Sequence, residues 1–318
     1  MSRASAILLA ALLLAIPLSL VAGRTWIFGI EESRAMLIVA ELRLPRALLA
    51  VTVGAGLGAA GAAMQGYLRN PLAEPGLIGV SGSAALGAVL SIQTGLSAAF
   101  ALALPLSALA GALAAVLLLL ALAGPRGGSL TLILAGIAIS AMAGALTSLV
   151  LNLSPNPFAA NEIVFWMMGS LADRSMLHVW LALPIMGLGW AMLIPLARPL
   201  GALTLGEDAA ASMGINLSRL RWQVVLGTAC VVGAGTAVAG AIGFVGLIVP
   251  HVLRPMVGAR PGPLLLASAL GGAAMLLAAD IAVRMVLPGR DLKLGVLTAR
   301  VGAPFFLHLV WRTGRSPE

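Results

Sequence analysis

The sequence predicts an all-α, polytopic membrane protein of about ten transmembrane helices, and three observations predict it. Apolar residues make up 60% of the 318 and charged ones only 9%, where a soluble domain carries roughly a quarter. Apolar runs of about 20 residues recur along the whole chain, the length a helix needs to cross hydrocarbon about 30 Å thick. The alternation of a membrane barrel is absent, and a backbone in lipid must satisfy its own hydrogen bonds, so the runs read as helices. With neither a low-complexity tail nor a long linker, residues 1–318 are expected to form a single transmembrane domain. The net charge of +8 is dispersed over short connections, which reads as a topology signal and as partner contacts, not as a nucleic-acid footprint.

Each span can be justified in turn. "MSRASAILLAALLLAIPLSLVAG" combines Arg3, an apolar stretch and a small-residue end, a shape shared by signal peptides and first spans; we read it as a span over 5–23. The second, 46–68, carries Gly54, Gly58, Ala62 and Gly66 at intervals of four. These share one helix face, which suits either close approach of a neighbouring backbone or the smooth wall of a translocation path. Apolar runs over 77–95, 98–123, 130–152 and 176–197 follow, the last ended by Pro195 and Pro199. Beyond a polar interruption come 222–242, a run over 244–258 that is short for a crossing and contains Pro250, then 264–286 and 294–312. An even number of crossings puts both termini on one side, and the Lys/Arg surplus there points to the cytoplasm.

The interruption, "LTLGEDAAASMGINLSRLRW", needs its own account. Glu207 and Asp208 open a short helix with acidic groups in its first turn, as the helix dipole favours, and Gly214 stops it. A second short turn is expected to carry Ser218, Arg219 and Arg221. Helices of about seven residues reach only some 10 Å, so residues 203–221 are expected to form a charged surface knob on the side of the termini.

Several chemistries are excluded. A P-loop needs Gly-Lys before Ser or Thr, and the sole lysine, Lys293, stands between two leucines. Neither His-Glu-x-x-His nor Gly-x-Ser-x-Gly occurs, and His178, His251 and His308 are scattered. Cys230 is alone in an apolar run. No catalytic residue, metal site or cofactor is therefore expected within this chain. An ion-coupled carrier would need ionisable groups inside its spans, and the candidates are Asp280, Arg284 and Arg300. Asp280 and Arg284 stand four apart on one helix face, so a neutralised pair accounts for them as well as a proton relay does.

Five stretches carry a resemblance: "RLPRALLAVTVGAGLGAAGAAMQGYLRNPLAEPGLIGVS", "LTLGEDAAASMGI", "AVAGAIGFVGLIVPHVLRPMVG", "LLAADIAVR" and "GVLTARVGAPFFLHLV". In this order they resemble permease subunits of bacterial ABC importers for ferric siderophores, haem and cobalamin, the FecCD-type or type II importer family. The likeness runs from about residue 25 to the C-terminus. It implies a ten-helix permease of the inner membrane, paired with a second copy around a central path. An ABC ATPase dimer holding ATP and magnesium would dock below, and a periplasmic binding protein above. It further implies that Glu207, Asp208, Ala209, Ala210, Ala211, Gly214, Arg219 and Arg221 couple to the ATPase. Arg43, Arg46 and Arg284 would dock the binding protein, as matching positions do in cobalamin importers. Asn70 and Leu72, and less completely Ser129 and Leu130, match constrictions of the path, which Gly54 and Gly58 would line. "RDLKLGV" departs from the family pattern, with Lys293 in place of a proline. The expected cargo is a metal chelate, ferric siderophore first, cobalamin or haem next, with oxyanions also carried by relatives.

Overall fold

The computed structural model describes residues 2–23, 27, 31–124, 128–286 and 292–313. Among them the chain forms fifteen α-helices and no strand, as a backbone surrounded by lipid requires. In order they are α1 (Arg3–Val21), α2 (Glu32–Leu37), α3 (Leu44–Tyr67), α4 (Val80–Gln93), α5 (Leu96–Ala99) and α6 (Ala103–Ala123). Then follow α7 (Ser129–Asn152), α8 (Pro157–Met167), α9 (Met176–Leu193), α10 (Ala197–Leu203) and α11 (Glu207–Ser212). The last four are α12 (Leu217–Ala239), α13 (Val245–Leu253), α14 (Pro261–Val286) and α15 (Leu294–Thr313).

Seven helical segments of the described residues are long and apolar enough to cross a membrane, and α4, α13 and α15 supply the other expected runs. Two boundaries differ instructively. The second span begins well before residue 46, because α2 and α3 join into one 36-residue segment, Glu32–Tyr67. Pro45 has no N–H for the carbonyl four residues earlier, and the widened π-helical turn Ile38–Arg43 accommodates it. The run expected over 244–258 is a nine-residue helix, α13, only about 14 Å long, followed by a 3-10 turn, Pro255–Val257. Phe244, at φ +68, starts it abruptly.

α3 and α12 form the centre: 78% of the most apolar stretch of each is buried, against 22% for α1 and 28% for α7. The outer helices turn Leu13, Leu14, Leu113, Leu117 and Leu134 outward, as a lipid-facing surface requires. Inside, glycine sets the spacing. A Cβ at Gly54 would lie 2.4 Å from the Gly272 carbonyl oxygen, and one at Gly58 would lie 1.9 Å from that of Ser268. Both glycines are buried against α14, and so they hold two backbones together, the close approach that their spacing allows. Gly87 against Ser107 and Gly111 against Ser83 repeat the device between α4 and α6. Gly58→Ala is expected to destabilise the purified chain by about 1–3 kcal/mol, seen as a lower melting temperature in detergent. An unchanged melting temperature would show that α3 and α14 are not locked at this crossing.

Candidate functional site

Three polar clusters stand out from this apolar frame. The first is the knob between α10 and α12. Gly206 (φ +106) and Gly214 (φ +80) bracket α11, adopting backbone conformations that side chains with a Cβ resist. Glu207 and Asp208 open the helix and are exposed, and Glu207 lies 4.0 Å from Arg69 at the end of α3. Ala210 is fully buried, Ala209 half-buried and Ala211 exposed, so one face of α11 is anchored and the other is free. Leu200, Leu203 and Leu220, all buried, pin the flanks. The expected second short helix is instead the start of α12 itself: Asn216 Oδ1 accepts from the Arg219 amide and caps a helix that runs unbroken to Ala239. Arg219 is exposed, but Arg221 is buried and faces inward, contrary to its expected place among the surface charges. Sequence reasoning overlooked the apolar half of this surface: Leu205 (69% exposed), Met213 (57%) and Trp222 (40%) surround the charges.

The second cluster lies at the opposite ends of α3 and α14. Arg46 Nε donates to Asp280 Oδ1 at 2.7 Å, and Arg284 Nη2 lies 3.1 Å from Asp280 Oδ2. Asp280 is fully buried. Arg284 also donates to the carbonyls of Ser19 and Ala22 and to the Ser19 hydroxyl, while Arg43 donates to those of Leu20 and Val21. A helix leaves its last carbonyls unpaired, and here two arginines from other helices cap the end of α1. Arg43 and Arg284 are therefore buried, and Arg46 is mostly covered as well.

The third cluster was not anticipated. Gln65 of α3 is buried; its amide nitrogen donates to the Leu247 carbonyl and its oxygen accepts from Arg254 at 2.7 Å. Glu74 accepts from the amide of Phe244 at 2.9 Å, holding that left-handed residue in place. Gly61 lets Gly246 approach so closely that a Cβ would lie 1.9 Å from its carbonyl oxygen. The loop after α3 and the short α13 are thus clamped together. Within that loop Asn70 is exposed and accepts from the Leu72 amide, which makes a tight turn. Ser129 and Leu130 open α7, with Leu130 67% exposed. The structure ties the two regions through Leu77, whose carbonyl abuts Gly136 of α7. Lys293 stands over the Phe165 ring of α8, 5.5 Å from its centroid, whereas Arg290 and Asp291 of the same motif lie outside the described residues.

A bundle of apolar spans packed through glycine, with a rigid polar element standing out at one end, has the architecture of an ABC importer permease. A solved chain assigned to the metal-chelate type of ABC transporter, in an inward-facing conformation, superposes with a TM-score of 0.88 at 33% identity, covering 97% of this chain and 98% of that one. The cobalamin import system permease protein BtuC of Halobacterium salinarum is 41% identical over 89% of this chain and 75% of its own length. The vitamin B12 import system permease protein BtuC of Escherichia coli O127:H6 is 39% identical over 96% of this chain and 93% of its own. A profile of the FecCD transport family matches residues 4–312, and the chain belongs to that family.

Proposed function

We propose that this chain is the membrane path of an ATP-driven importer whose cargo is cobalamin. Family resemblance put ferric siderophores first; relatives at 39–41% identity that are named for cobalamin or vitamin B12 favour the corrinoid. The observation that carries the ATP-driven reading is the knob over 203–221. It is rigidly anchored, bears exposed charges and apolar side chains together, and belongs to a chain with no nucleotide-binding motif of its own.

In this reading the knob and both termini face the cytoplasm. Two copies enclose the path, an ATPase pair holding ATP and magnesium receives the two knobs, and a binding protein sits over the opposite face. Closure of the ATPase pair would shift α11 and, through the unbroken α12, the centre of the bundle. The arginines at the outer ends would serve docking indirectly, by fixing the frame on which a partner rests. Asn70, Leu72, Ser129 and Leu130 would narrow the inner mouth once two copies meet.

The test is uptake of radiolabelled cobalamin by proteoliposomes holding the chain with its operon-encoded partners. We expect uptake only with ATP inside and the binding protein outside. Uptake by the chain alone, driven by an ion gradient, would replace this reading with an ion-coupled carrier. ATP-driven uptake of a ferric siderophore in place of cobalamin would overturn the cargo alone.

A further inference from the structure

Two cavities meet at the end of the bundle that carries the knob. The first, about 460 Å³, is a groove between α3, α9 and α14 lined by Ala55, Ala59, Trp190, Leu193 and Ala269 among others. None of its lining residues is charged. The second, about 620 Å³, is its mouth, lined by Ser2, Ser5, Met256, Arg260 and Pro263 among others. Gly262 and Leu266 line both, so the two adjoin. Arg260 is the only charged residue lining the mouth, and it is exposed.

The chemistry of each half restricts the occupant. α3, α9 and α14 belong to membrane-crossing segments, so a groove between them lies at the depth of the hydrocarbon and its apolar lining suits an alkyl chain. The indole N–H of Trp190 is buried and has no partner among the described residues, although such a donor normally finds one. At the mouth, the starts of α1 and α14 converge with Arg260, three sources of positive potential with no carboxylate among the lining residues. An apolar slot leading to a cationic mouth matches an amphiphile with an alkyl chain and an anionic head.

We propose that this double cavity binds one anionic glycerophospholipid, its phosphodiester at Arg260 and one acyl chain in the groove. Ala197 lines the groove and begins α10, so a bound lipid braces the joint between the knob and α14. The proposal requires only that the chain is embedded in a membrane and is independent of the cargo.

The experiment is native mass spectrometry of the full chain in neutral detergent, titrated with phosphatidylglycerol or phosphatidylcholine, with melting temperature as the check on folding. Wild type is expected to retain phosphatidylglycerol in preference to phosphatidylcholine. Arg260→Ala should weaken phosphatidylglycerol retention about fivefold and phosphatidylcholine retention by less, since the choline cation already offsets that phosphate. Leu266→Trp, at a position 46% exposed and shared by both cavities, should block both lipids. Equal retention of the two lipids by wild type would overturn the proposal, as would wild-type phosphatidylglycerol retention in both variants. So would equal binding of glycerophosphoglycerol, which has the head and no chain. If Leu266→Trp fails to fold, the head-group preference lost in Arg260→Ala decides the matter.

Discussion

Asp280→Ala is expected to cost about 3–5 kcal/mol of stability, enough to lose the folded chain in detergent, because a buried carboxylate that holds two guanidinium groups would be gone. Arg46 and Arg284 would then face each other with no countercharge between them. Arg284 could keep its bonds to the end of α1 only by retaining an uncompensated charge in an apolar setting. The loss should spread, since this cluster joins α1, α3 and α14, whose other contacts are mostly apolar and small. Asp280→Asn preserves volume and isolates the charge; it is expected to melt well below wild type. The measurement is thermal unfolding followed by size-exclusion chromatography. An ion-coupled carrier predicts a different outcome, in which Asp280→Asn stays folded and monodisperse while transport is lost. Melting at the wild-type temperature would therefore remove the structural assignment of Asp280.

The sequence was informative wherever one short-range rule decided the outcome. Apolar run length located the seven crossing-length segments and the shorter α4, α13 and α15, because lipid leaves the backbone no alternative to internal hydrogen bonding. The four-residue glycine spacing marked the α3 face that meets α14, but small residues suit many neighbours, so the spacing could not say which helix packs there. Glu207, Asp208 and Gly214 correctly bounded α11, because a capping dipole and a left-handed stop are local. Arg219 and Arg221 show where local reasoning ends. They stand two apart on one helix and point to different surroundings, one exposed and one buried, which is set by the tertiary neighbours of α12. α8 had a legible signal, Asn156 as cap with Pro157 in the first turn, but its eleven residues fell below the length sought for a span. The clamp of Gln65, Glu74, Phe244 and Arg254 had none. Its partners lie about 170–190 residues apart, and a lone glutamine in an apolar helix gives no clue to which carbonyls it meets.

The knob itself allows a test that separates docking from folding. Met213 and Arg219 are both exposed, so the double substitution Met213→Asp, Arg219→Glu should leave the melting temperature of the isolated permease within a degree or so of wild type. In the assembly the same positions would be covered. Putting a carboxylate where an apolar side chain is expected to be buried, and reversing a neighbouring charge, should cost about 2–4 kcal/mol of association, on the order of a hundredfold in affinity. Co-purification of the ATPase should therefore be lost, and ATP-driven uptake with it. Restoring Arg219 alone should recover less than restoring Met213 alone, because charged pairs at a rim contribute less than a desolvated centre. A double variant that keeps its ATPase and its uptake would mean that residues 203–221 are an ordinary solvated connection, and that the force driving this bundle enters elsewhere. The rigid frame argues against that outcome. Two glycines at positive φ, a fully buried Ala210 and an asparagine cap fix the shape of a segment that, as a mere connection, would need no fixed shape.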